Sequence, residues 1–457
     1  MGITLRARDI IIRTRDITIR ARGERRLLIL CTAWLTFGIL SLCCSPAWSQ
    51  ELIPTSPTVP VGSGARAQGM GGAFIAVADD ATAASWNPGG LGQLQRPEMS
   101  AVGSWFSRSE HYDGSLENDG GSHSSSSDVN YLSCAYAKNI WQRNMFFSFN
   151  YQKLFDFSRR VKLDIYDYSA GVSKKADFQQ EGSLYTFSPA MAIECISGLY
   201  VGFAYNIWSD AITGKSHWKS TLDNSYSDPS LPEFNTKLDY KDFRGENLTL
   251  GFLWKITQQL QLGGVYKTPF KASVRNEHQL KGSKDTSGPF HKTTEDRIDF
   301  PASYGAGLSY RLGNSWTFAG DVTLTEWQNY IISDSSGNEI GPFRTVGDVP
   351  HKDSTCTVRL GAEYAYVLDK LGIVLPFRAG VFYDPEPSVN APQDFYGLSL
   401  GCGVADKRMA LDFAYQFRTG NPVNSVELGL GPDDKGQTSN EGKIQEHLLL
   451  CSLIFYL

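Results

Sequence analysis

Short segments in which hydrophobic and polar residues alternate recur along the chain from about residue 97 to its end. Leu199–Trp208 and Cys356–Tyr366 show the pattern, and Arg408–Arg418 shows it most clearly. In that last segment large apolar residues occupy every second position: Met409, Leu411, Phe413, Tyr415 and Phe417. Because a β-strand turns successive side chains to opposite faces, a period of two predicts strands with one apolar face.

About fourteen such strands are predicted, and the connections between them alternate strictly between short and long. The predicted strands are residues 97–107, 130–138, 143–156, 184–196, 199–210, 243–256, 259–272, 297–311, 315–330, 354–368, 374–383, 395–405, 408–418 and 443–457. The predicted long loops are residues 108–129, 157–183, 211–242, 273–296, 331–353, 384–394 and 419–442. Even strand number and alternating connection length are typical of an outer-membrane barrel with its long loops outside the cell. A soluble β-sandwich, the alternative, gives no reason for this alternation. We therefore predict an all-β fold, a transmembrane antiparallel β-barrel over residues 97–457.

The first 49 residues have the features of a signal peptide. Eight arginines lie within the first 26 residues, and the 18 residues Leu27–Cys44 carry no charge. Small residues at Ala47 and Ser49 predict cleavage before Gln50. A retained membrane anchor is the alternative, because this stretch approaches spanning length. Removal of the segment, with its eight arginines and three acidic residues, leaves a mature chain of net charge −10, which argues against nucleic acid as a partner.

The stretch Gly62–Leu94, within residues 50–96, differs from the strands that follow it. It is rich in glycine and alanine, and Asn87-Pro88-Gly89 followed by Gly90 is a turn signal. Such a segment buries too little surface to form a core of its own. We predict that it packs inside the barrel as a hatch; a glycine-rich surface loop is the alternative interpretation.

No residues in the sequence indicate a catalytic or metal site, and no cofactor is predicted. The seven histidines are scattered, and neither a His-x-x-x-His nor a Cys-x-x-Cys motif occurs. Gly397–Gly401 matches Gly-x-Ser-x-Gly, but it lies inside a predicted strand with no helix after it, so we interpret the match as chance. Five cysteines follow the signal segment; this odd number, spread over separate strands, predicts free thiols.

Motifs of the hatch and of later strands resemble the FadL/TodX family. In the hatch these are Gly-Met-Gly-Gly-Ala at residues 69–73, Ala-Asp-Asp-Ala-Thr at 78–82 and Trp-Asn-Pro-x-Gly-Leu around Asn87. Further matches are Gly263–Phe270 and Arg359–Tyr364. Where the family usually has Asn-Pro-Ala, this chain has Gly89 after Pro88. The resemblance extends over nearly the whole mature chain. It implies an outer-membrane transporter of long-chain fatty acids or other hydrophobic molecules, exported through a cleaved signal peptide and acting as a monomer.

The resemblance also implies a passive mechanism, in which a captured molecule enters the barrel, shifts the hatch and leaves sideways through the wall. The residues expected to gate the hatch are Gly71, Gly72, Asn87, Pro88 and Gly89. Proline interrupts strand pairing, so Pro189, Pro269, Pro301 and Pro376 are candidates for the gap in the wall. The resemblance implies an opening at an early strand next to the hatch, which favours Pro189.

Alternation places five charged residues on the inner face of the barrel: Asp321, Arg359, Glu363, Arg378 and Asp412. One interpretation is a binding site for a fatty-acid carboxylate at Arg359 and Arg378, because guanidinium binds carboxylate in a bidentate way. The other, which we favour, is a network of ion pairs that fixes the barrel and holds the hatch, since buried charges are normally paired.

The sequence also allows a functional class other than transport of hydrophobic molecules. PorV-like components of protein secretion and surface attachment resemble the same plan of a hatch inside fourteen strands. A continuous apolar tunnel would favour transport of hydrophobic molecules, whereas a wide lumen with a protein-binding rim would favour the secretion role.

Overall fold

The computed structural model describes residues 59–60, 62–113, 120–140, 143–167, 172–230, 233–282, 290–339, 353–387, 394–421, 423–424 and 440–457. The predicted signal segment, residues 1–49, lies outside the described residues, as do residues 50–58 of the predicted hatch. The helices are α1 (Ala65–Gly69), α2 (Ala83–Trp86) and α3 (Asp210–Thr213), and 3₁₀ turns occupy Pro88–Gln93 and Trp327–Asn329. Among these residues no helix has the length and apolar character needed to cross a bilayer.

The strands are β1 (Val59–Pro60), β2 (Glu98–Asp113), β3 (Gly120–Ile140), β4 (Arg143–Asp156), β5 (Arg159–Asp167), β6 (Val172–Ile196), β7 (Leu199–Ser209), β8 (His217–Tyr226), β9 (Phe234–Lys255), β10 (Leu260–Lys267), β11 (Phe270–Gly282), β12 (Phe290–Phe300), β13 (Ser303–Leu312), β14 (Trp316–Thr325), β15 (Ile331–Ser333), β16 (Thr355–Leu368), β17 (Ile373–Tyr383), β18 (Phe395–Ala405), β19 (Met409–Gly420), β20 (Val423–Asn424) and β21 (Asn440–Tyr456).

Fourteen of these strands form a closed antiparallel barrel, which confirms the predicted fold. The wall strands are β2, β3, β4, β6, β7, β9, β10, β13, β14, β16, β17, β18, β19 and β21. The first and last pair with each other, Met99 lying opposite Phe455, and so close the sheet. Each wall strand therefore has a paired neighbour on both sides, and a closed barrel of this kind is one of the structures that can span a membrane.

The two faces of the wall differ in the way that alternation predicts. On β7, Val201 and Phe203 are exposed on the outside, whereas Tyr200 and Ala204 are buried inside. The outer side chains of β9, from Leu248 to Trp254, continue this apolar surface. An outward apolar band of this kind contacts lipid hydrocarbon in a membrane barrel.

Residues 62–96 lie inside the barrel and form the hatch. Their apolar side chains are almost fully buried, Met70, Phe74 and Leu91 among them. Helix α1 lies against β17, β18, β19 and β21, and the 3₁₀ turn Pro88–Gln93 of the hatch lies against β6, β7 and β9. The hatch therefore contacts the wall on opposite sides, and the glycine-rich stretch is not a surface loop.

Several of the predicted long loops are wrong, because they contain strands. The segment 108–129 belongs mostly to β2 and β3, while β5 and β8 fall within the loops predicted after residues 156 and 210, and β11 and β12 occupy most of the loop predicted after residue 272. Strands β5 and β8 pair with β6, β8 and β11 pair with β9, and β12 pairs with β11 and β15. We call β5, β8, β11, β12 and β15 the extension sheet, which lies at the long-loop end. The many polar residues of these segments suit the solvated face of a sheet beyond the membrane as well as they suit loops.

Candidate functional site

The hatch is seated by hydrogen bonds from its backbone to side chains of the wall. The carboxylate of Asp321 on β14 accepts from the backbone N–H groups of Phe74 and Ile75, at 2.6 and 2.8 Å. Asp321 is buried in the wall, and a buried backbone donor needs a partner of this kind. This carboxylate therefore fixes the middle of the hatch to one side of the barrel.

Ser399, the serine of the Gly-x-Ser-x-Gly match, has a role in this seat. It lies in strand β18, its Oγ accepts from Gly71 N at 2.8 Å, and it donates to the carbonyl of Gly69 at 3.0 Å. Gly71 and Gly72 have φ of 69° and 75°, a left-handed conformation that favours glycine. The structure thus places two of the three predicted gating glycines at a tight turn that contacts the wall, and their movement during transport stays a prediction.

The Asn-Pro-Gly turn ties the other side of the hatch to the barrel. The side-chain amide of Asn87 donates to the carbonyl oxygens of Ile75 and of Phe252 on β9, both at 2.8 Å. Its Oδ1 accepts from Gly89 N at 3.0 Å, and Pro88 begins the 3₁₀ turn. Asn87 joins two hatch segments and the wall, so this turn is a bonded joint in the seated state.

Glycines on the inner wall allow the hatch backbone to approach. A Cβ at Gly380 would lie 2.2 Å from Gly71 N, and one at Gly361 would lie 2.2 Å from the Met70 carbonyl oxygen. A Cβ at Gly251 would meet Asn87 Oδ1 at the same distance. The sequence analysis did not identify this role. A signal existed, because these glycines occupy inward-facing positions in strands with the alternating pattern.

Charged residues of the hatch and wall form one ion network at the side of α1. Arg66 bonds both oxygens of Glu363, at 2.9 and 3.0 Å, and it contacts Asp79 at 2.5 Å. Arg378 donates to Glu363 and to Asp412, both at 2.6 Å. Burial would lower the pKa of Arg66, but Asp79 and Glu363 raise it well above the usual value. This arrangement fits the network interpretation, and a ligand role for Arg378 stays a prediction.

Arg359, the other predicted carboxylate site, is less enclosed. Its guanidinium donates to the Gly71 carbonyl at 3.2 Å and to Asp384 at 3.0 Å, and it lines a cavity inside the barrel with Gln68. The strand pattern of β10 puts Lys267 on the inner face too, where the positive charge of Arg359 opposes its own. Among the described residues the side chain of Lys267 makes no ion pair or hydrogen bond. Sequence reasoning missed this lysine.

A second buried ion network lies toward the long-loop end and was not predicted. Arg108 on β2 contacts Glu110, Glu386 and Glu446 at 2.6 to 3.0 Å. Arg418 on β19 contacts the last two of these at 2.9 and 2.8 Å, and all are buried. The network joins β2, β19 and β21 to the segment after β17, so it stiffens the wall where the barrel closes.

Aromatic side chains fill the inner side of the wall beneath the extension sheet. Trp208 stacks on Phe270 and Phe300 with ring centroids 5.1 and 6.1 Å apart, and Trp218 stacks on Tyr240 at 4.5 Å. Other buried members of this aromatic cluster are Phe157, Leu184, Phe243, Ile298, Trp327 and Tyr330. The cluster lies farther toward the long-loop end than the hatch, and its side chains pack into an almost fully buried apolar core on the inner side of the wall.

The wall is not continuously hydrogen-bonded. The β6–β7 register passes from Phe187 opposite Ile207 directly to Ala190 opposite Ala204, so the ladder is interrupted at Pro189. On its other side Pro189 remains paired with Phe149 of β4. The structure thus places a ladder break at the predicted position; a passage there stays a prediction.

A longer interruption, which we call the seam, separates β3 from β4. Within the described residues of these strands, pairing ends at Tyr131 opposite Gln152. Beyond that point Lys153 Nζ contacts Asp128 at 2.8 Å, and strand β1 pairs with the edge of β4 at Asp156. Side chains and the N-terminal strand therefore close the seam in place of a backbone ladder.

A closed fourteen-stranded barrel with a bonded internal hatch defines the class of plugged outer-membrane barrels. The family model described as outer membrane protein transport protein (OMPP1/FadL/TodX) matches residues 61–445. The chain belongs to this family and is an outer-membrane protein. No curated protein sequence matches the chain.

Solved structures share the fold at low sequence identity. The Pseudomonas aeruginosa FadL homologue has 13% identity and a TM-score of 0.63, the match covering 89% of this chain and 100% of that one. The Pseudomonas putida toluene transporter TodX has 13% identity and a TM-score of 0.57, covering 88% and 100%. The Ralstonia pickettii toluene transporter TbuX has 12% identity and a TM-score of 0.51, covering 87% and 98%.

Proposed function

We propose that this chain takes up hydrophobic small molecules through the outer membrane by passive diffusion, with long-chain fatty acids as the favoured substrate class. The observation that carries the proposal is the aromatic cluster around Trp208 and Phe300, a packed and almost fully buried apolar region on the inner side of the wall beyond the hatch. Apolar and aromatic linings with a few placed polar groups are typical of sites for small hydrophobic ligands. TodX and TbuX, which share the fold, are described as toluene transporters, which supports a hydrophobic cargo.

Two cations on the inner wall favour a substrate with a carboxylate. Lys267 has no partner among the described residues, and Arg359 lines the cavity next to the hatch. The carboxylate of a fatty acid would supply the missing anion, while its chain lies against the aromatic cluster. A neutral hydrocarbon such as toluene gains nothing from these charges, so the two substrate classes can be separated experimentally.

The first prediction concerns this head-group site. Replacing Arg359 and Lys267 with alanine together is expected to weaken binding of a long-chain fatty acid roughly 10- to 100-fold, because hydrogen bonds to charged groups contribute about 1.5–3 kcal/mol. Binding of toluene should change little. The measurement is a titration of purified protein with both ligands. The matched control is Lys370→Ala, which removes a cation in an exposed turn. Equal loss of both ligands, or no loss of fatty acid, would exclude the carboxylate site.

Release of the transported molecule from the barrel requires either that the hatch leaves its seat or that a path opens through the wall. For the hatch we propose that the turn at Gly71–Gly72 and the joint at Asn87–Gly89 give way, because both connect hatch segments to different sides of the wall. For the wall we propose an exit at Pro189, which has no N–H to donate to β7. The seam between β3 and β4 is a further interruption, and the β17–β18 ladder is also broken at Pro376.

The second prediction tests Pro189. Its replacement with valine restores the missing N–H and a residue that favours strands, so the β6–β7 ladder should close while the barrel still folds. Uptake of labelled fatty acid by cells carrying the variant is expected to fall several-fold. Pro376, where the β17–β18 register is also interrupted, provides the matched control in the variant Pro376→Val. Unchanged uptake in Pro189→Val would remove Pro189 from the mechanism and leave the seam as the exit.

A further inference from the structure

An apolar groove marks the outer surface of the barrel near its closure. It has a volume of about 960 Å³ and crosses β18, β19, β21, β2 and β3. Large exposed apolar side chains line it, among them Trp105, Leu400, Phe413 and Leu449. The groove is separate from the hatch and the aromatic cluster, because the large apolar side chains that line it face outward.

Small residues create the floor of this groove. Gly103 lies opposite Cys451 in the β2–β21 ladder, and Cys402 lies one strand beyond Phe413. A Cβ added at Gly103 would meet no atom within 4 Å. The outer wall therefore has a depression at Gly103 and Cys451, between the larger side chains of Phe413 and Val129 in the same row.

A polar cavity of about 480 Å³ adjoins the groove on the side of the long-loop end. Hydroxyl, amide and imidazole side chains line it, including Ser124, Gln179 and His217. The two spaces share Asp128 and Lys215, which line both. Together they form one amphipathic site, apolar toward the middle of the membrane and polar toward its outside.

The boundary between the two spaces carries an accessible cation. Lys215 Nζ lies 3.2 Å from Asp128, and its side chain is 52% exposed. Asp128 is also bonded to the buried Lys153 at 2.8 Å. An ammonium group has three donors, so Lys215 retains donors for an anion at the boundary.

We propose that this site binds one phosphorylated glycolipid of the outer leaflet, of the lipid A type. One of its acyl chains lies in the groove over Gly103, a phosphate contacts Lys215, and its sugar occupies the polar cavity. Apolar burial favours the chain and the lysine favours the phosphate. Hydroxyl and amide side chains can hydrogen-bond the sugar. The proposal is independent of what the lumen transports.

The test is native mass spectrometry of delipidated protein titrated with purified bis-phosphorylated lipid A, its dephosphorylated form and phosphatidylglycerol. We expect one lipid A per barrel, with both other lipids bound roughly tenfold more weakly. Gly103→Trp, which fills the groove, and Lys215→Glu, which reverses the charge, should each reduce lipid A binding to a similar extent. The matched controls are Val322→Trp, on the outer face of β14, and Lys370→Glu, in an exposed turn.

Equal binding of the three lipids, or unchanged lipid A binding in both variants, would overturn the proposal. If Gly103→Trp fails to fold, Lys215→Glu decides the outcome, because its side chain is exposed. Fatty-acid uptake is measured separately, so failure of the glycolipid site leaves the transport proposal untouched.

Discussion

Replacing Asp321 with alanine is expected to unseat the hatch and open an ion-conducting path through the barrel. The substitution leaves the N–H groups of Phe74 and Ile75 without their acceptor inside the protein. Each buried donor left unsatisfied costs about 1–3 kcal/mol, so the seated state should lose much of its advantage over states in which water reaches the hatch. The measurement is single-channel conductance in planar bilayers, where the variant should show large openings that wild type shows rarely.

The matched control is Asp321→Asn. Both hatch N–H groups bond the same carboxylate oxygen, and an amide oxygen can take its place as acceptor. The asparagine variant should therefore stay close to wild type in conductance. Asp321→Ala channels that remain closed, in a barrel shown to be folded, would mean that this contact does not hold the hatch.

Replacing Gly380 with valine is expected to exclude the hatch from its seat more completely than any loss of a hydrogen bond. The first added carbon would lie 2.2 Å from Gly71 N and 2.4 Å from the Met70 carbonyl carbon, and both are backbone atoms that cannot rotate away. Either the turn at Gly71 moves off the wall or β17 is displaced. We expect a folded barrel with a permanently open lumen and rapid proteolysis of the hatch, measured by limited proteolysis in outer-membrane fragments.

Gly103→Val provides the comparison, because a side chain at Gly103 meets no atom within 4 Å on the lipid-facing side. It adds the same side chain in a wall strand but should leave the hatch protected. Resistance of the Gly380→Val hatch to protease, at the level of this control, would contradict the packing described here.

Much of the barrel could be predicted from the sequence because its physical rule is local. Alternation with period two fixes which side of a strand faces lipid, and the segment Arg408–Arg418 shows it without any knowledge of its neighbours. The strand number and the inner position of the hatch followed from strand counting and family motifs. The closed fourteen-stranded wall confirms the strand number, and the contacts of the buried hatch with opposite sides of that wall confirm its inner position.

The extension sheet could not be predicted by the same rule. Its strands, β8 and β11 among them, lie beyond the membrane, where the outer face is charged and the alternation of large apolar residues is weaker. Lys241, for example, pairs with Glu277 on the neighbouring strand. Such polar cross-strand pairs look like loop composition in the sequence.

The seat of the hatch was only half visible in the sequence. Alternation put Asp321 and Arg359 on the inner face, but the partner of each is a backbone atom of the hatch, which no sequence pattern identifies. Ser399 was interpreted as part of a chance motif. Its Oγ bonds Gly71 N, which lies 328 residues away in the sequence. Long-range contacts of this kind are set by tertiary packing rather than by local pattern.

The most direct test of the central claim is the rate at which hydrophobic molecules cross an outer membrane that contains this protein. Cells that lack their own uptake proteins would express the wild-type chain, and entry of a labelled long-chain fatty acid, toluene and a polar sugar of similar size would be timed. We expect the protein to accelerate entry of the fatty acid more than entry of the other two compounds, and to leave entry of the sugar unchanged. A folded protein in the outer membrane that accelerates none of them, and that purifies with a bound protein partner, would contradict it.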